Sequence, residues 1–280
     1  MKKAEPELNI QTTCQLFDVP ISSYYKQQEQ VIGNPHKDFI ISRIKDIHDN
    51  NLQSYGRRRM LKALQREGID IGIFKVTRLM REAGVIAKIP KKPHYYPSGN
   101  EMPNIPNLLK RQFNPTNINT HWVGDITYIR NHQGWSYLAT VLDLSTKEIV
   151  GYALSQTPDA QLAKQALINA IAFIQPDTTQ LMFHSDQGVQ YSAKLFKDCL
   201  SLHGITQSMS RRGNCWDNAV QERFFRSLKS EYLNGLTFIN HNSVVHAATY
   251  YIRYYNNKRL NSAIDYITPA QQRRILSNAA

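Results

Sequence analysis

Residues 121–155 read HWVGDITYIRNHQGWSYLATVLDLSTKEIVGYALS and contain three β-rich segments in succession. Each segment is rich in β-branched and aromatic residues and the connections are short, so the stretch predicts a three-stranded meander. Downstream, hydrophobic patterning alternates between helix and strand. The later segments are a helix in DAQLAKQALINAIAFI (159–174), a strand in LMFHS (181–185), a helix in AKLFKDCLSLHG (193–204), a short strand near ITQSMS (205–210) and a long helix from about Asp217.

This order, βββαβαβα, is that of the RNase H-like fold, in which helices flank an α/β sheet. We therefore predict a mixed five-stranded sheet with flanking helices and a C-terminal helix over residues 119–275. Residues 91–118 contain recurring prolines with polar and basic neighbours and little periodicity, which is typical of a linker.

The region before the linker, residues 1–90, is predicted to be helical and basic. Residues 51–92 hold 11 Lys or Arg against 3 Asp or Glu, which is +8 of the chain's +12. SYGRRRMLKALQREG and IFKVTRLMREAG both have helical apolar spacing and predict a helix-turn-helix type DNA-binding region. The alternative is a plain helical bundle with a solvated basic face. The candidate DNA contacts are Arg57, Arg58, Arg59, Lys75 and Arg78.

Length and charge limit the class of protein. A chain of 280 residues predicts two domains, and a pI near 9.6 favours a polyanionic partner such as nucleic acid. No apolar run is long enough for a membrane span, and the first residues do not resemble an export signal. Cys14, Cys199 and Cys215 form no CxxC pair, so neither a disulfide framework nor a zinc site is expected, and a cytoplasmic location is predicted.

Two acidic residues, Asp125 and Asp186, lie within or directly after predicted strands of the sheet. Asp125 is in the middle of the first strand, where a carboxylate is costly unless it is paired or binds a cation. An edge strand with a solvated Asp is the alternative. Asp186 follows the strand LMFHS and opens the turn DQG, where Asp is also an ordinary turn former.

Glu222 follows Asp186 after 35 intervening residues and lies on the last predicted helix. At 100° per residue its own face is predicted to be polar and basic and the opposite face to be the core. An exposed helix with a surface Glu222–Arg226 pair is the alternative. The predicted Glu222 face holds Asn218, Phe225, Arg226 and Lys229, and the core face holds Val220, Phe224 and Leu228.

Taken together, the three carboxylates point to a metal site. Side chains from a central strand, the end of another strand and a flanking helix can converge to hold two Mg²⁺ or Mn²⁺ ions, which prefer oxygen ligands. Two such ions serve in-line displacement at phosphorus. Lys229 would project toward the phosphate of the substrate.

WVGDITY, HSDQGVQY and NCWDNAVQERFFRSLKSE closely resemble the OrfB-type DDE transposases of bacterial insertion sequences, whose catalytic core is retroviral-integrase-like. SYGRRRMLKAL and VTRLMREAGVIAK resemble the family's N-terminal helix-turn-helix region. The resemblance implies that Asp125, Asp186 and Glu222 form the catalytic, metal-binding triad and that Lys229 contacts the element's end. It also implies that the site is surrounded by Gln187, Gly188, Tyr191, Asp217 and Asn218.

The resemblance further implies metal-dependent cleavage of DNA at the element ends and joining of the freed 3′-OH to a target. The family acts as a homo-multimer on the terminal repeats and target DNA, often as a frameshift fusion to an upstream helix-turn-helix protein, in the bacterial cytoplasm at the nucleoid. Asn261 stands where relatives commonly have His, and His36 and His48 have no CxxC to complete a zinc module. The alternatives are a catalytically silent DNA-binding regulator, including a domesticated transposase, and a nuclease for RNA–DNA hybrids.

Overall fold

The computed structural model describes residues 9–32, 34–88, 105–210 and 218–279. Two compact units are present. The helical unit spans residues 1–50 and 56–86, and the sheet unit spans 51–55 and 87–280. Part of the predicted linker, residues 91–104, lies outside the described residues. In the part of the chain that the structure describes, no helix is both long and apolar enough to cross a membrane.

The described part of the helical unit contains five helices. Its core consists of buried apolar residues that recur at helical spacing, such as Ile40, Ile44 and Leu64. The fourth and fifth helices are each followed by a glycine with positive φ, Gly68 and Gly84. The helices are α1 (Ile10–Leu16), α2 (Ile21–Ile32), α3 (Pro35–Asn50), α4 (Arg57–Arg66) and α5 (Ile73–Glu82).

The sheet unit contains a five-stranded sheet in the order β3-β2-β1-β4-β5. The first three strands form an antiparallel meander, and β4 and β5 run parallel to β1. This topology confirms the predicted RNase H-like fold. The strands are β1 (His121–Asn131), β2 (Gly134–Asp143), β3 (Ile149–Ser155), β4 (Met182–Ser185) and β5 (Thr206–Met209). The helices are α6 (Ala160–Ile174), α7 (Val189–Ser192), α8 (Lys194–Leu202), α9 (Ala219–Glu231), α10 (His241–Asn257) and α11 (Pro269–Ala279).

Alternation along the strands divides the apolar side chains between two cores, one on each face of the sheet. Trp122 belongs to the core that includes residues of α6 and α8. Val123 and Ile129 belong to the core that includes residues of α9 and α10. The odd-numbered face of β1, which carries Asp125, is therefore the face on which α9 packs.

A buried ion pair fixes the end of α9. The Arg259 guanidinium donates to both carboxylate oxygens of Glu231, at 2.7 Å from Nε and 2.6 Å from Nη2, and to Ser227 Oγ at 3.1 Å. The Tyr251 hydroxyl donates to the same carboxylate at 2.8 Å. Burial alone would lower the pKa of Arg259, but the attraction of Glu231 outweighs it and raises the pKa. The network ties α9 to α10 and to the segment that follows α10.

Candidate active site

Asp125 lies on β1 directly opposite Thr140 of β2. Its carboxylate Oδ1 accepts a hydrogen bond from the backbone N–H of Ile126 at 2.7 Å. The preceding residue is Gly124, where an added Cβ would overlap the ring of Phe183. Close packing of β1 on Phe183 thus requires glycine beside the acidic residue.

Asp186 lies one residue beyond the end of β4. β4 is parallel to β1 with Val123 opposite His184, so continuing this register by two residues brings Asp125 level with Asp186. Asp186 Oδ1 accepts a hydrogen bond from the N–H of Gly188 at 3.0 Å, which is the turn that the sequence DQG predicts. The parallel pairing of β1 and β4 is what brings two acids 61 positions apart in the sequence to the same edge.

Glu222 lies in the first turn of α9 and is half-buried. The predicted core face is correct for Phe224 and Leu228, which are buried. The predicted polar face is wrong for Asn218 and Phe225, which are also buried, at 5% and 7% exposure. The apolar stripe is wider than the wheel predicts because Phe225 joins the same core as Phe224, with their ring centroids 5.5 Å apart.

The three carboxylates lie within electrostatic range of one another. Burial, followed by repulsion from Asp186 and then Glu222, raises the pKa of Asp125 well above its usual range. Burial raises the pKa of Glu222, Arg226 opposes this, and Asp186 adds to it. Asp186 is exposed to solvent, yet partial burial of its carboxyl group by the surrounding protein raises its pKa as well. The hydrogen bond from the Gly188 N–H lowers this pKa but does not outweigh the burial. The arrangement concentrates negative charge at one place.

The carboxylates are not arranged as a finished metal cage. Among the described residues, no three His, Cys, Asp or Glu side chains are grouped closely enough to hold a metal ion. Two of the acids instead accept hydrogen bonds from their own backbone segments. Even so, an all-oxygen donor set of mutually repelling carboxylates suits Mg²⁺ or Mn²⁺. Residues 211–217, immediately before α9, lie outside the description, and the predicted supporting residue Asp217 is among them.

Lys229, two turns after Glu222 on α9, is half-buried beside this cluster. Burial lowers the pKa of Lys229, and the attraction of the nearby Asp125 offsets only part of that effect. Its Nζ lies 4.7 Å from the centroid of the Tyr128 ring. Arg226 is exposed on the same helix and attracts the charge of Glu222. Both basic side chains therefore accompany the acids, as the helix spacing predicts.

Family comparisons agree with this architecture. Models of the integrase core domain match residues 115–215 and 203–269, and a model of an HTH-like domain matches residues 35–93. InsK of insertion sequence element IS150 from Escherichia coli strain K12 is 36% identical over 256 residues, 91% of this chain and 90% of that protein. The transposase InsF for insertion sequence IS3A, from the same strain, is 31% identical over 278 residues, 97% of this chain and 96% of that protein. This chain belongs to the insertion-sequence transposases.

The resemblance predicted from the motifs is thereby confirmed for this transposase. Among solved structures, a match is the HTLV-2 integrase catalytic core domain in complex with magnesium, which is 16% identical with a TM-score of 0.44. That match covers 55% of the transposase chain and 96% of the HTLV-2 chain.

The residues predicted to support the site take different positions. Tyr191 is buried, and burial raises the pKa of its hydroxyl well above the usual value. The negative charges of Asp125 and Asp186 raise this pKa further, because the hydroxyl lies near both acids. Gly188 provides the N–H that fixes Asp186. Asn218 is buried and its Nδ2 donates to the carbonyl of Gly124 at 3.5 Å. Gln187 is half-buried beside Asp186.

Gln221 is a site residue that sequence reasoning missed. Its side chain is fully buried, and its Nε2 donates to Thr140 Oγ1, the residue opposite Asp125. Within the described residues, Gln221 Oε1 and Asn218 Oδ1 have no hydrogen-bond partner. A Gln on an amphipathic helix usually reads as a surface residue, and the only available signal was its position next to Glu222.

The predicted DNA contacts of the helical unit lie on α4 and α5. Arg57, Arg58, Lys75 and Arg78 are exposed, and Arg59 is half-buried. Arg78 makes a long ion pair with Glu82, 3.8 Å between Nε and Oε1. These side chains belong to the helical unit, whereas the three carboxylates belong to the sheet unit.

Asn261 has a structural position in the transposase. Its Oδ1 accepts a hydrogen bond from the N–H of Ala263 at 3.0 Å, and its Nδ2 donates to the Tyr255 hydroxyl at 3.3 Å. The first of these bonds caps the short helical turn Ser262–Ile264, and the second joins Asn261 to α10. The Asn thus stabilises the chain after α10.

Proposed function

We propose that this transposase cleaves DNA at the ends of its element and joins the freed 3′ end to target DNA, with Asp125, Asp186 and Glu222 as the catalytic carboxylates. The main support is that the three acids come together from β1, the end of β4 and the first turn of α9: burial raises the pKa of Asp125, and repulsion from Asp186 and Glu222 raises it further. Such clustering of like charge is costly and is typical of functional sites.

The proposed cofactor is a pair of Mg²⁺ or Mn²⁺ ions held by the three carboxylates. Ions bound there would activate the attacking oxygen and stabilise the leaving oxygen of an in-line displacement. The hydrogen bonds from Ile126 and Gly188 hold Asp125 and Asp186 at the sheet edge. Glu222 approaches from the half-buried start of α9, so the strand and helix framework orients all three acids.

The proposed reaction has two displacements at phosphorus. In the first, a water oxygen bonds to phosphorus while the bond from phosphorus to the 3′ oxygen breaks, which leaves a 3′-OH and a 5′ phosphate. In the second, that 3′-OH bonds to a target phosphorus and displaces the target's own 3′ oxygen. Neither displacement needs a covalent bond to the protein. Lys229 and Arg226 would hold the phosphates beside the acids.

DNA recognition is assigned to the helical unit, with the exposed basic residues of α4 and α5 on phosphates. Residues 91–118 would link this DNA-binding region to the catalytic region of 119–275. We further propose that the transposase pairs two element ends as a homo-multimer, with or without an upstream helix-turn-helix partner made by frameshifting. Its place of action would be bacterial DNA in the cytoplasm.

The test uses duplexes that carry the element's ends, with Mg²⁺ present. Asp125→Asn, Asp186→Asn and Glu222→Gln should each reduce cleavage at least about 100-fold and change the affinity for the ends less than about twofold. The matched control is Asp198→Asn, which changes an exposed carboxylate paired with Lys194 and should cleave normally. Cleavage at wild-type rates would contradict the proposed chemistry, and loss of end binding would make the acids structural.

A further inference from the structure

The tip of the β1–β2 hairpin carries an exposed aromatic and cationic surface. Its three residues, Tyr128, Arg130 and Trp135, are named here the hairpin platform. Tyr128 is 60% exposed and Trp135 is 42% exposed. The two rings meet edge to face at 5.3 Å, and the Arg130 guanidinium lies 4.9 Å from the Trp135 centroid. Together they present π faces and positive charge side by side.

The exposed aromatic residues of the hairpin platform are not part of the hydrophobic core. Tyr128 lies opposite Tyr137 and Arg130 opposite Trp135, so the four side chains share the face of the hairpin that carries the even-numbered residues of β1. Tyr137 packs against the core that contains residues of α6, whereas Tyr128 and Trp135 remain exposed. Neighbouring exposed aromatics that the fold does not use indicate a binding surface more strongly than scattered ones do.

The hairpin that carries the platform is firmly held. Asn131 bonds across the turn, with its Nδ2 donating to Ser136 Oγ at 2.9 Å and its Oδ1 accepting from the N–H of Gln133 at 2.8 Å. The N–H of His132 donates to the carbonyl of Phe238 at 2.9 Å. Ser136 Oγ also lies 3.0 Å from Nδ1 of His241 at the start of α10. A ligand would therefore meet rings that are already in position.

Lys229 connects the platform to the carboxylates. Asp125 and Tyr128 point to opposite faces of β1, yet Lys229 interacts with the charge of Asp125 and lies over the ring of Tyr128. This is possible because β4 pairs with β1 through residues 121–123, and among the described residues no strand pairs with that edge of β1 beyond Gly124. Along the strand, Tyr128 lies about 10 Å from Asp125.

The charge of the platform favours a polyanion over a protein partner. In the described part of the chain, neither Arg130 nor Lys229 forms a salt bridge. Exposed aromatic rings beside unpaired cations are the arrangement that binds single-stranded nucleic acid, in which bases stack and phosphates are neutralised. Duplex DNA offers no free base faces except at its ends.

We propose that the hairpin platform binds unpaired nucleotides next to the phosphodiester on which the carboxylates act, stacking their bases on Tyr128 and Trp135. The inference rests on the proposed function for the location of that phosphodiester. It adds a site for frayed or overhanging ends, which would hold the separated strand while the reactive end stays at the acids.

The experiment compares two DNA probes that differ only in a three-nucleotide single-stranded 3′ overhang, bound by the full-length chain in EDTA. A 2-aminopurine base in the overhang reports stacking through loss of fluorescence. Wild type should bind the overhang probe about 5- to 150-fold more tightly than the blunt probe, as expected when one base stacks, and should quench the 2-aminopurine. Tyr128→Ala/Trp135→Ala should lose both the preference and the quenching.

Two further variants isolate the rings. Tyr128→Phe/Trp135→Phe keeps aromatic faces and should retain most of the preference. The matched control is Phe173→Ala, because Phe173 on α6 is also 60% exposed and has the Arg273 guanidinium 5.1 Å from its ring. That control should bind and quench as wild type does, since its ring lies outside the platform.

Three results would overturn the proposal. One is an unchanged preference for the overhang in the double Ala variant. Another is equal weakening on the overhang and blunt probes, which would mean general phosphate contact. The third is altered self-association of the double Ala variant with normal overhang binding, which would assign the platform to a protein interface. The overhang assay involves no cleavage and no metal ion. Its result is therefore independent of the cleavage assay on the carboxylate variants, and either proposal can be refuted without the other.

Discussion

Arg259→Met should destabilise the sheet unit by about 3–5 kcal/mol, because it removes the Arg259 cation from the buried Glu231 carboxylate. The two side chains are only 5% and 7% exposed, and two short hydrogen bonds join them. Methionine approximates the length of the arginine stem, so lost packing contributes less than the stranded charge. Of the original donors to Glu231, the Tyr251 hydroxyl would remain.

Urea unfolding followed by tryptophan fluorescence measures this cost selectively, since residues 1–50 and 56–86 of the helical unit contain no tryptophan. Adding Glu231→Gln to Arg259→Met removes the stranded charge and keeps an acceptor for Tyr251. The double variant should therefore regain about 2 kcal/mol or more. Lys194→Met is the control, because it breaks the exposed Lys194–Asp198 pair and should leave stability nearly unchanged.

The pH dependence gives a second check on the same reasoning. A buried carboxylate without a cation is more stable in its neutral form, so the folded Arg259→Met variant should hold a proton that its unfolded chain releases. Stability then falls as pH rises, and the cost of the substitution should be larger at pH 8 than at pH 5. A cost that is equal at both pH values, or a double variant no more stable than Arg259→Met, would refute the role of charge.

Two further predictions concern the sheet unit. Burial, against the attraction of Arg273, raises the pKa of Glu148 to about 7. The folded state therefore keeps a proton that the unfolded chain loses above pH 4.5, so stability falls between pH 5 and 8. Relative to wild type, Glu148→Gln should gain up to about 3 kcal/mol over that range in urea titrations, and parallel pH profiles would contradict this. Thr140→Val should cost about 1–3 kcal/mol by leaving the Gln221 amide unsatisfied, and should slow cleavage with end affinity kept; an unchanged unfolding free energy would exclude the bond.

Much of the architecture could be predicted locally. The alternating segments of residues 121–155 specify strands with two different faces, and the order of later helices and strands then limits the topology to a few choices. Gly68 and Gly84 mark helix ends because both have positive φ, which glycine adopts without steric cost in any protein. The spacing of Asp186, Glu222 and Lys229 also belongs to the sequence alone, and the family resemblance followed from it.

Other features depend on residues that meet only after folding. Asp125 lies beside Asp186 because of the parallel register of β1 and β4, which no local sequence pattern encodes. Phe225 is buried because it joins the same core as Phe224, so a helical wheel divides the faces of α9 wrongly. Gln221 and the Glu231–Arg259 pair look like surface residues in sequence. Their burial was decided by packing, because a polar side chain is stable inside the protein only where distant elements supply its hydrogen-bond or charge partner.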